Sequence, residues 1–393
     1  ILHGWGGGTE KHVRELVDHL KDIYAIYILK PTKYGFEVEE YNNDMFTMYN
    51  FDCNYKWDIS VFYSQDYRAL LEKIIKKFKI NIIHVHHLIG HSFDVFDLAE
   101  KHNIPMVFTI HDFYSVCPKI NLLNDEFIYC HDIEEDRKCA ECLSHLGLDY
   151  GFILNWRSEF RKIFAKCKFV IAPSTSTFEI IKIYYEIDES KLVTIEHGYK
   201  KSLIEFGKKI TSKRDIINIE NINIAYIGAL GPHKGEAIFY DLARSIYNRK
   251  INWFIIGISA NFSEPGYYSK YNVHVTGKYK DEQELFRIMN EKNISLAVFP
   301  SPWPETYSYT LSECWIAGVP PIVSNLGALK ERVEKTKGGW VAPPDMIAFK
   351  NKINEVLSDP NMYNRTEDII ANIELKTLEE MVAEYTKIYE ELL

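Results

Sequence analysis

The sequence has no apolar run approaching the ~20 residues that a membrane-spanning helix needs, so no such helix is expected. It does not begin with a charged segment followed by an apolar one, so no secretory signal is visible. Cysteine is scarce. Seven residues in 393 are too few for a disulfide scaffold, and a reducing cytoplasm is the expected setting. Basic residues are outnumbered, 46 Lys and Arg against 55 Asp and Glu, for a formal net charge of −9. That balance excludes a general nucleic-acid binder, which needs a basic surface to neutralise phosphates. Internal repeats and low-complexity tracts are missing as well. There is no initiator Met. The chain opens on Ile1-Leu2-His3-Gly4, which reads as the end of a strand, so a piece of a larger, multi-domain chain is expected.

What is present is the make-up of a globular protein, 46% hydrophobic and 26% charged. The length suits about two domains, because single cores usually stop growing near ~250–300 residues. Short β-branched runs alternate with helical patterns, the signature of parallel α/β domains. In the first half, strands are expected at 23–29, 58–63, 81–87, 105–111, 168–173 and 191–196. Val13, Leu16, Val17 and Leu20 give the first helix one apolar face. In the second half, strands are expected at 222–227, 253–257, 273–276, 294–300 and 320–324, with a helix over 282–293. A polar stretch, 208–221, follows Glu196-His197-Gly198-Tyr199, and the hinge is expected near residue 198. The expected organisation is an N-terminal Rossmann-like domain (1–198), a second one (199–376), and an amphipathic helix over 377–393.

The most informative stretch is Pro300-Ser301-Pro302-Trp303-Pro304-Glu305-Thr306-Tyr307-Ser308-Tyr309-Thr310-Leu311-Ser312-Glu313, followed by Gly318-Val319-Pro320. Its prolines force an irregular loop before any helix can start. Glu305 then lies in the loop and Glu313 in the early helix. The N–H groups of Thr306, Tyr307 and Ser308 fall at a helix N-terminus, a natural seat for a phosphate. Glu313 can reach vicinal ribose hydroxyls, and Glu305 can accept hydrogen bonds from a sugar. Two isolated glutamates with this spacing would more often be an acidic helix entry.

Three further segments carry chemistry. Tyr226-Ile227-Gly228-Ala229-Leu230-Gly231-Pro232-His233-Lys234-Gly235 places Gly228 where backbone can approach a diphosphate, with Lys234 supplying positive charge. Gly6-Gly7-Gly8-Thr9-Glu10 opens the first helix, with Gly7 and Gly8 able to approach a ligand and Thr9 able to cap the helix. This cluster is neither a dinucleotide fingerprint nor a P-loop. His111-Asp112 ends an apolar strand, where ligand-contacting residues of such folds are found. His84, His86 and His87 alternate along the preceding strand. No carboxylate or cysteine pattern completes them, so they are expected to line or pack rather than hold a metal.

Glu-x7-Glu before an Ala-Gly-Val-Pro turn resembles the donor-site motif of family 4 glycosyltransferases, and the glycine loop, His-Asp segment and Lys-Gly loop extend the likeness. The resemblance implies the GT-B fold, two Rossmann-like domains with a C-terminal helix crossing back to the first. It also implies transfer with retention of configuration from a nucleoside diphosphate sugar, with no metal or cofactor required. By that resemblance the catalytic residues are Glu305, His111 and Lys234. The donor-binding residues are Gly7, Gly8, Gly228, Lys234, Thr306, Tyr307, Ser308 and Glu313. One departure is Ala229, where the family usually has Arg, so the diphosphate meets one cation fewer. The Trp-Pro-Glu-Thr-Tyr-Ser variant looks like that of bacterial polysaccharide and O-antigen enzymes. This implies a saccharide or lipid-linked acceptor and a site of action in the cytoplasm, at the inner face of the membrane. Two other readings share the fold, a nucleotide-sugar epimerase and a binding module that has lost activity.

Two features stand outside the resemblance. Cys117, Cys130, Cys139 and Cys142 fall within 26 residues and are a candidate structural Zn²⁺ site. The helix from 155 to 166 carries Trp156, Phe160, Ile163 and Phe164 on one face with Arg and Lys around it. That pattern suits either docking on an anionic membrane or a packed helix with a solvated basic side. The loop 113–150 is expected to shape the acceptor side.

Overall fold

The computed structural model describes residues 1–130, 136–211, 221–246, 251–262 and 264–393. The polar stretch 208–221 and the loops 113–150 and 258–272 therefore lie partly outside the described residues. Two compact units emerge. The first comprises Ile1–Ile120, His131–Gly198 and Leu378–Leu393, and the second Asn121–Cys130 and Tyr199–Thr377.

The first unit contains an antiparallel sheet of β1 (Ile26–Thr32), β2 (Gly35–Asn42) and β3 (Met45–Asp52). Its second sheet is parallel, in the order β4 (Ile83–Val85), β5 (Met106–Thr109), β6 (Phe169–Ala172) and β7 (Leu192–Thr194). Ile1 and Leu2 bond to both. The Ile1 nitrogen donates to the His84 carbonyl (2.8 Å), and the Leu2 N–H to that of Leu29 (3.1 Å). The expected strand at 58–63 is not formed. The Asp58 carboxylate accepts from the Ser60 N–H (2.8 Å) and the Asp58 carbonyl from the Val61 N–H, a local turn that outcompetes β-propensity.

Helix Gly8–Leu20 buries Val13, Leu16, Val17 and Leu20, the face its spacing predicts. Helix Leu378–Leu392 completes this unit's core. Leu378, Met381, Val382, Tyr385 and Ile388 pack with Leu16, Leu20, Val107, Ile171 and Ile195. Helix Tyr150–Lys166 buries Trp156, Phe160, Ile163 and Phe164 in the same unit. The face that a membrane would take is thus already covered, and Lys166 pairs with Asp97 at 2.6 Å. Among the described residues no helix is long and apolar enough to cross a membrane.

The second unit is built on seven strands in the order β10-β11-β9-β8-β12-β13-β14. They are β8 (Ile222–Leu230), β9 (Ile251–Ser259), β10 (Gly266–Tyr268), β11 (Val273–Val275), β12 (Ile294–Phe299), β13 (Pro321–Ser324) and β14 (Trp340–Ala342). All neighbours are parallel except β10, which runs antiparallel to β11. Every residue of β12 is buried, as expected for a parallel strand covered on both faces. Because β8 and β12 are hydrogen-bonded neighbours, the loops leaving their carboxyl ends emerge side by side. That register brings residues 231–235 next to 300–308.

Candidate functional site

In the second unit, the chain turns after β8 through the short 3₁₀ segment Pro232–Lys234, where the Lys234 N–H reaches the Gly231 carbonyl at 2.8 Å. After β12, Pro300–Pro304 cannot supply a helix, and helix Tyr309–Ile316 begins only beyond Ser308. The two loops meet in an ion pair, Lys234 Nζ to Glu305 Oε2 at 2.9 Å, with side chains 25% and 9% exposed. The Lys234 ammonium also lies 5.5 Å above the Trp303 ring. These contacts hold an ammonium where it keeps access to solvent and a carboxylate where it has little.

Glu305 is fixed through its backbone. Its carbonyl accepts from the Ala328 N–H at 2.8 Å, and its own N–H donates to the Trp303 carbonyl at 3.0 Å. The close approach depends on Gly327, which opens helix Gly327–Thr336 at φ +53°. A Cβ there would stand 2.6 Å from the Pro304 carbonyl carbon and 2.7 Å from the Glu305 oxygen. Glycine relieves both the left-handed strain and the collision.

The loop 306–308 is held from behind by Arg332, a buried guanidinium on the same helix. It donates to the Tyr307 carbonyl (3.2 Å), the Ser308 carbonyl (2.9 Å), the Tyr307 hydroxyl (3.2 Å) and the Ser312 hydroxyl. It also lies 3.9 Å from the centre of the Tyr307 ring. In a trans peptide the carbonyl and the following N–H point in opposite directions. Holding the carbonyls of Tyr307 and Ser308 therefore turns the N–H groups of Ser308 and Tyr309 away from the guanidinium. Ser308 itself adopts φ 75°, a conformation costly for a non-glycine residue and concentrated at ligand-binding loops.

Glu313 is buried in helix Tyr309–Ile316. The Tyr199 hydroxyl, close enough to Glu313 for its charge to raise the phenol's pKa further beyond what burial does, donates to the Tyr309 carbonyl at 2.8 Å. At Gly228 a Cβ would lie 3.4 Å from Thr310 Cγ2, which puts the end of β8 against the first turn of that helix. Gly228, Lys234, Glu305, Thr306, Tyr307, Ser308 and Glu313 thus share one neighbourhood. Arg332 and Gly327 belong to it too, although no motif in the sequence marks them.

In the first unit, Gly7 and Gly8 stand at the start of helix Gly8–Leu20. Gly7 is its N-cap at φ 126°, with open space where a side chain would be. Thr9 does not cap the helix, being already inside its first turn. His111 follows β5, half-buried, and its Nε2 lies 3.0 Å from His86 Nδ1. Burial, and then the neighbouring His12, push the His111 pKa well below its ordinary value, so the ring is neutral at neutral pH. Burial alone would raise the adjacent Asp112 carboxyl. Its contact with His87 (3.0 Å) and the Tyr114 N–H (2.8 Å) instead holds it below the usual range. His84 is used structurally, bonding the Tyr389 and Thr109 hydroxyls, each at 2.7 Å.

Cys117, Cys139 and Cys142 lie near enough to feel one another's charge, but the four cysteines are not among the described groups spaced for a metal. Cys139 lies 3.5 Å from Arg157, and Cys142 lies 3.3 Å from Lys119. Burial pushes the Cys117 thiol up to about 12. Among the described residues the one histidine, cysteine or carboxylate group spaced for a metal is His12, His86 and His111.

Two units of parallel α/β structure, one carrying a cationic loop beside a helix-entry loop with paired glutamates, define a glycosyltransferase of the GT-B class. The family model for Glycosyltransferase Family 4 matches residues 6–202, and that for Glycosyl transferases group 1 matches residues 208–373. The chain belongs to family 4 of the glycosyltransferases. No curated protein matches it.

Solved structures share the fold at low identity. WaaG, a glycosyltransferase involved in lipopolysaccharide biosynthesis, is 11% identical over 98% of this chain and 97% of that one, with a TM-score of 0.63. HepE of Anabaena in complex with UDP is 15% identical over 82% of each chain, with a TM-score of 0.57. Sucrose-phosphate synthase of Thermosynechococcus elongatus is 16% identical over 83% of this chain and 77% of that one, with a TM-score of 0.58.

Proposed function

We propose that this glycosyltransferase moves a hexose-like unit from a nucleoside diphosphate sugar to a saccharide or lipid-linked acceptor, retaining the anomeric configuration. Lys234 and the N–H groups of residues 306–308 receive the diphosphate. Glu305 and His111 position the sugar, Glu313 takes the ribose hydroxyls, and Gly7 and Gly8 let backbone approach the phosphate. The observation that carries this reading is the Lys234–Glu305 pair at 2.9 Å beside a helix-entry loop held by Arg332.

As the glycosidic bond breaks, positive charge spreads over the sugar ring and negative charge grows on the departing diphosphate. An ammonium and helix-terminal N–H groups held in advance stabilise that charge without reorganising. Front-face attack, with the leaving phosphate accepting the acceptor's proton, gives retention without a covalent intermediate. The reaction fits bacterial surface-polysaccharide synthesis at the inner face of the membrane.

The test is a calorimetric and thermal-shift screen of UDP, GDP, dTDP and their sugars. UDP and UDP-glucose come first, because HepE was solved in complex with each. Selective binding by one nucleotide, lost in Glu313→Ala and Lys234→Ala, supports the assignment. Equal binding by both variants removes it. Consumption of the donor without any acceptor would move the reading to an epimerase.

A further inference from the structure

We propose that His12, His86 and His111 form a binding site for a divalent transition-metal ion of the zinc type. The inference stands on these three side chains alone and does not rest on the reading of the transfer reaction. The residues come from three separate segments, namely helix Gly8–Leu20, the end of β4 and the end of β5. One nitrogen from each ring lies within 4.8 Å of the other two.

The rings stand at the corners of a nearly equilateral triangle, their centres 5.2 Å (His12–His111), 5.3 Å (His86–His111) and 5.7 Å (His12–His86) apart. This matches what a metal would impose. A zinc–imidazole bond of about 2.0–2.1 Å plus a ring radius of about 1.1–1.2 Å puts each ring centre about 3.2 Å from the ion. At tetrahedral angles two such centres are about 5.2 Å apart. The nitrogens of the same geometry are about 3.3–3.4 Å apart, and His86 Nδ1 and His111 Nε2 lie at 3.0 Å. Without metal, that spacing serves as a hydrogen bond. With metal, the ring that carries the shared proton takes its other tautomer and both nitrogens become ligands.

His12 supplies the independent observation. It is fully buried, and its Nε2 is engaged with the Tyr385 hydroxyl at 3.1 Å. Its Nδ1 is buried with no hydrogen-bond partner, an arrangement that ordinarily costs stability. Metal ligation satisfies this nitrogen, while the Tyr385 contact provides the outer hydrogen bond that orients a ligating imidazole. Three imidazoles without thiolate favour Zn²⁺, Co²⁺, Ni²⁺ or Cu²⁺ over the oxygen-seeking Mg²⁺ and Ca²⁺. The Asp112 carboxylate next to His111 supplies compensating negative charge, and the half-buried edge of His111 gives the ion a way in.

The full chain, stripped of metal with a chelator, is titrated with Co²⁺ and then Zn²⁺. The expected result is one ion per chain, visible-band intensity typical of four-coordinate Co²⁺, and displacement by Zn²⁺. Affinity should fall at least about tenfold in His86→Asn and His12→Gln and stay unchanged in His145→Asn, which removes an exposed imidazole. No stoichiometric binding, undiminished affinity in both site variants, or loss in His145→Asn would each overturn the proposal. Should a site variant fail to fold, X-ray absorption on the zinc-loaded wild-type chain decides. Three imidazole nitrogens at about 2.0–2.1 Å support the site, and fewer than three overturn it.

Discussion

Replacing Gly327 by Ala tests whether the placement of Glu305 is built from the backbone outward. The substitution adds one methyl group, yet it meets two separate obstacles. The residue sits at φ +53°, where an L side chain costs about 1–2 kcal/mol. The new Cβ would also fall 2.6–2.7 Å from Pro304 and Glu305 backbone atoms, nearer than carbon is found to such atoms, so the loop must move. Overpacking of this kind costs about 1–3 kcal/mol.

The sum is about 2–5 kcal/mol of stability. The moving segment carries Glu305, so donor affinity should fall with it. Gly147→Ala isolates the first obstacle, because Gly147 has φ +73° and nothing within 4 Å of its ideal Cβ. It should show strain of about 1–2 kcal/mol and unchanged donor binding. Urea unfolding together with calorimetric titration of the bound nucleotide sugar measures both effects. If Gly327→Ala binds donor as tightly as the wild type and loses no more stability than Gly147→Ala, the claim that this glycine sets the position of Glu305 is refuted.

Lys234→Ala should raise the barrier to transfer by about 2–4 kcal/mol, comparable with removing one oxyanion donor; single-turnover rates at saturating donor measure it. Arg332→Lys should destabilise the protein by about 1–3 kcal/mol for each acceptor left unpaired and weaken donor binding. A compact ammonium cannot reproduce the fork that reaches two carbonyls and two hydroxyls, and urea unfolding with donor calorimetry checks both effects. Burial pushes His12 and His91 each down to about 3. The unfolded chain therefore takes up protons that the folded one refuses, and stability declines as the pH drops below about 6.5 toward 3. The loss is at most about 1.4 kcal/mol per pH unit for each ring, readable as a falling urea midpoint between pH 7 and pH 4.

Central parallel strands such as Ile294–Phe299 were legible because they are short apolar runs buried along their length, whereas β14, only partly buried, was not expected. The β2–β3 hairpin was not. Met45, Phe46, Thr47 and Met48 lie exposed on β3, so burial does not impose on them the regular alternation that reveals a half-buried strand. At 58–63, side-chain capping by Asp58 overrode a β-branched and aromatic composition. The glutamate pair and Lys234 could be read because their chemistry lies in contiguous stretches. Arg332 and Gly327 act from the following helix, and nothing in their immediate sequence distinguishes them from a surface arginine and an ordinary helix-start glycine. The His12, His86 and His111 triangle depends on pairings across 25 and 74 positions, which no local pattern encodes.

The helix over residues 378–392 has a consequence for how the chain is made. Leu378, Met381 and Tyr385 fill the interior of the unit that contains residues 1–120, yet they are synthesised after the residues they pack against. Translation therefore delivers Leu16, Val107 and Ile171 long before their apolar partners exist. The other unit, Asn121–Cys130 and Tyr199–Thr377, is by contrast wholly encoded before residue 378. A nascent chain stalled before residue 378 would carry an exposed apolar surface of the kind that chaperones bind.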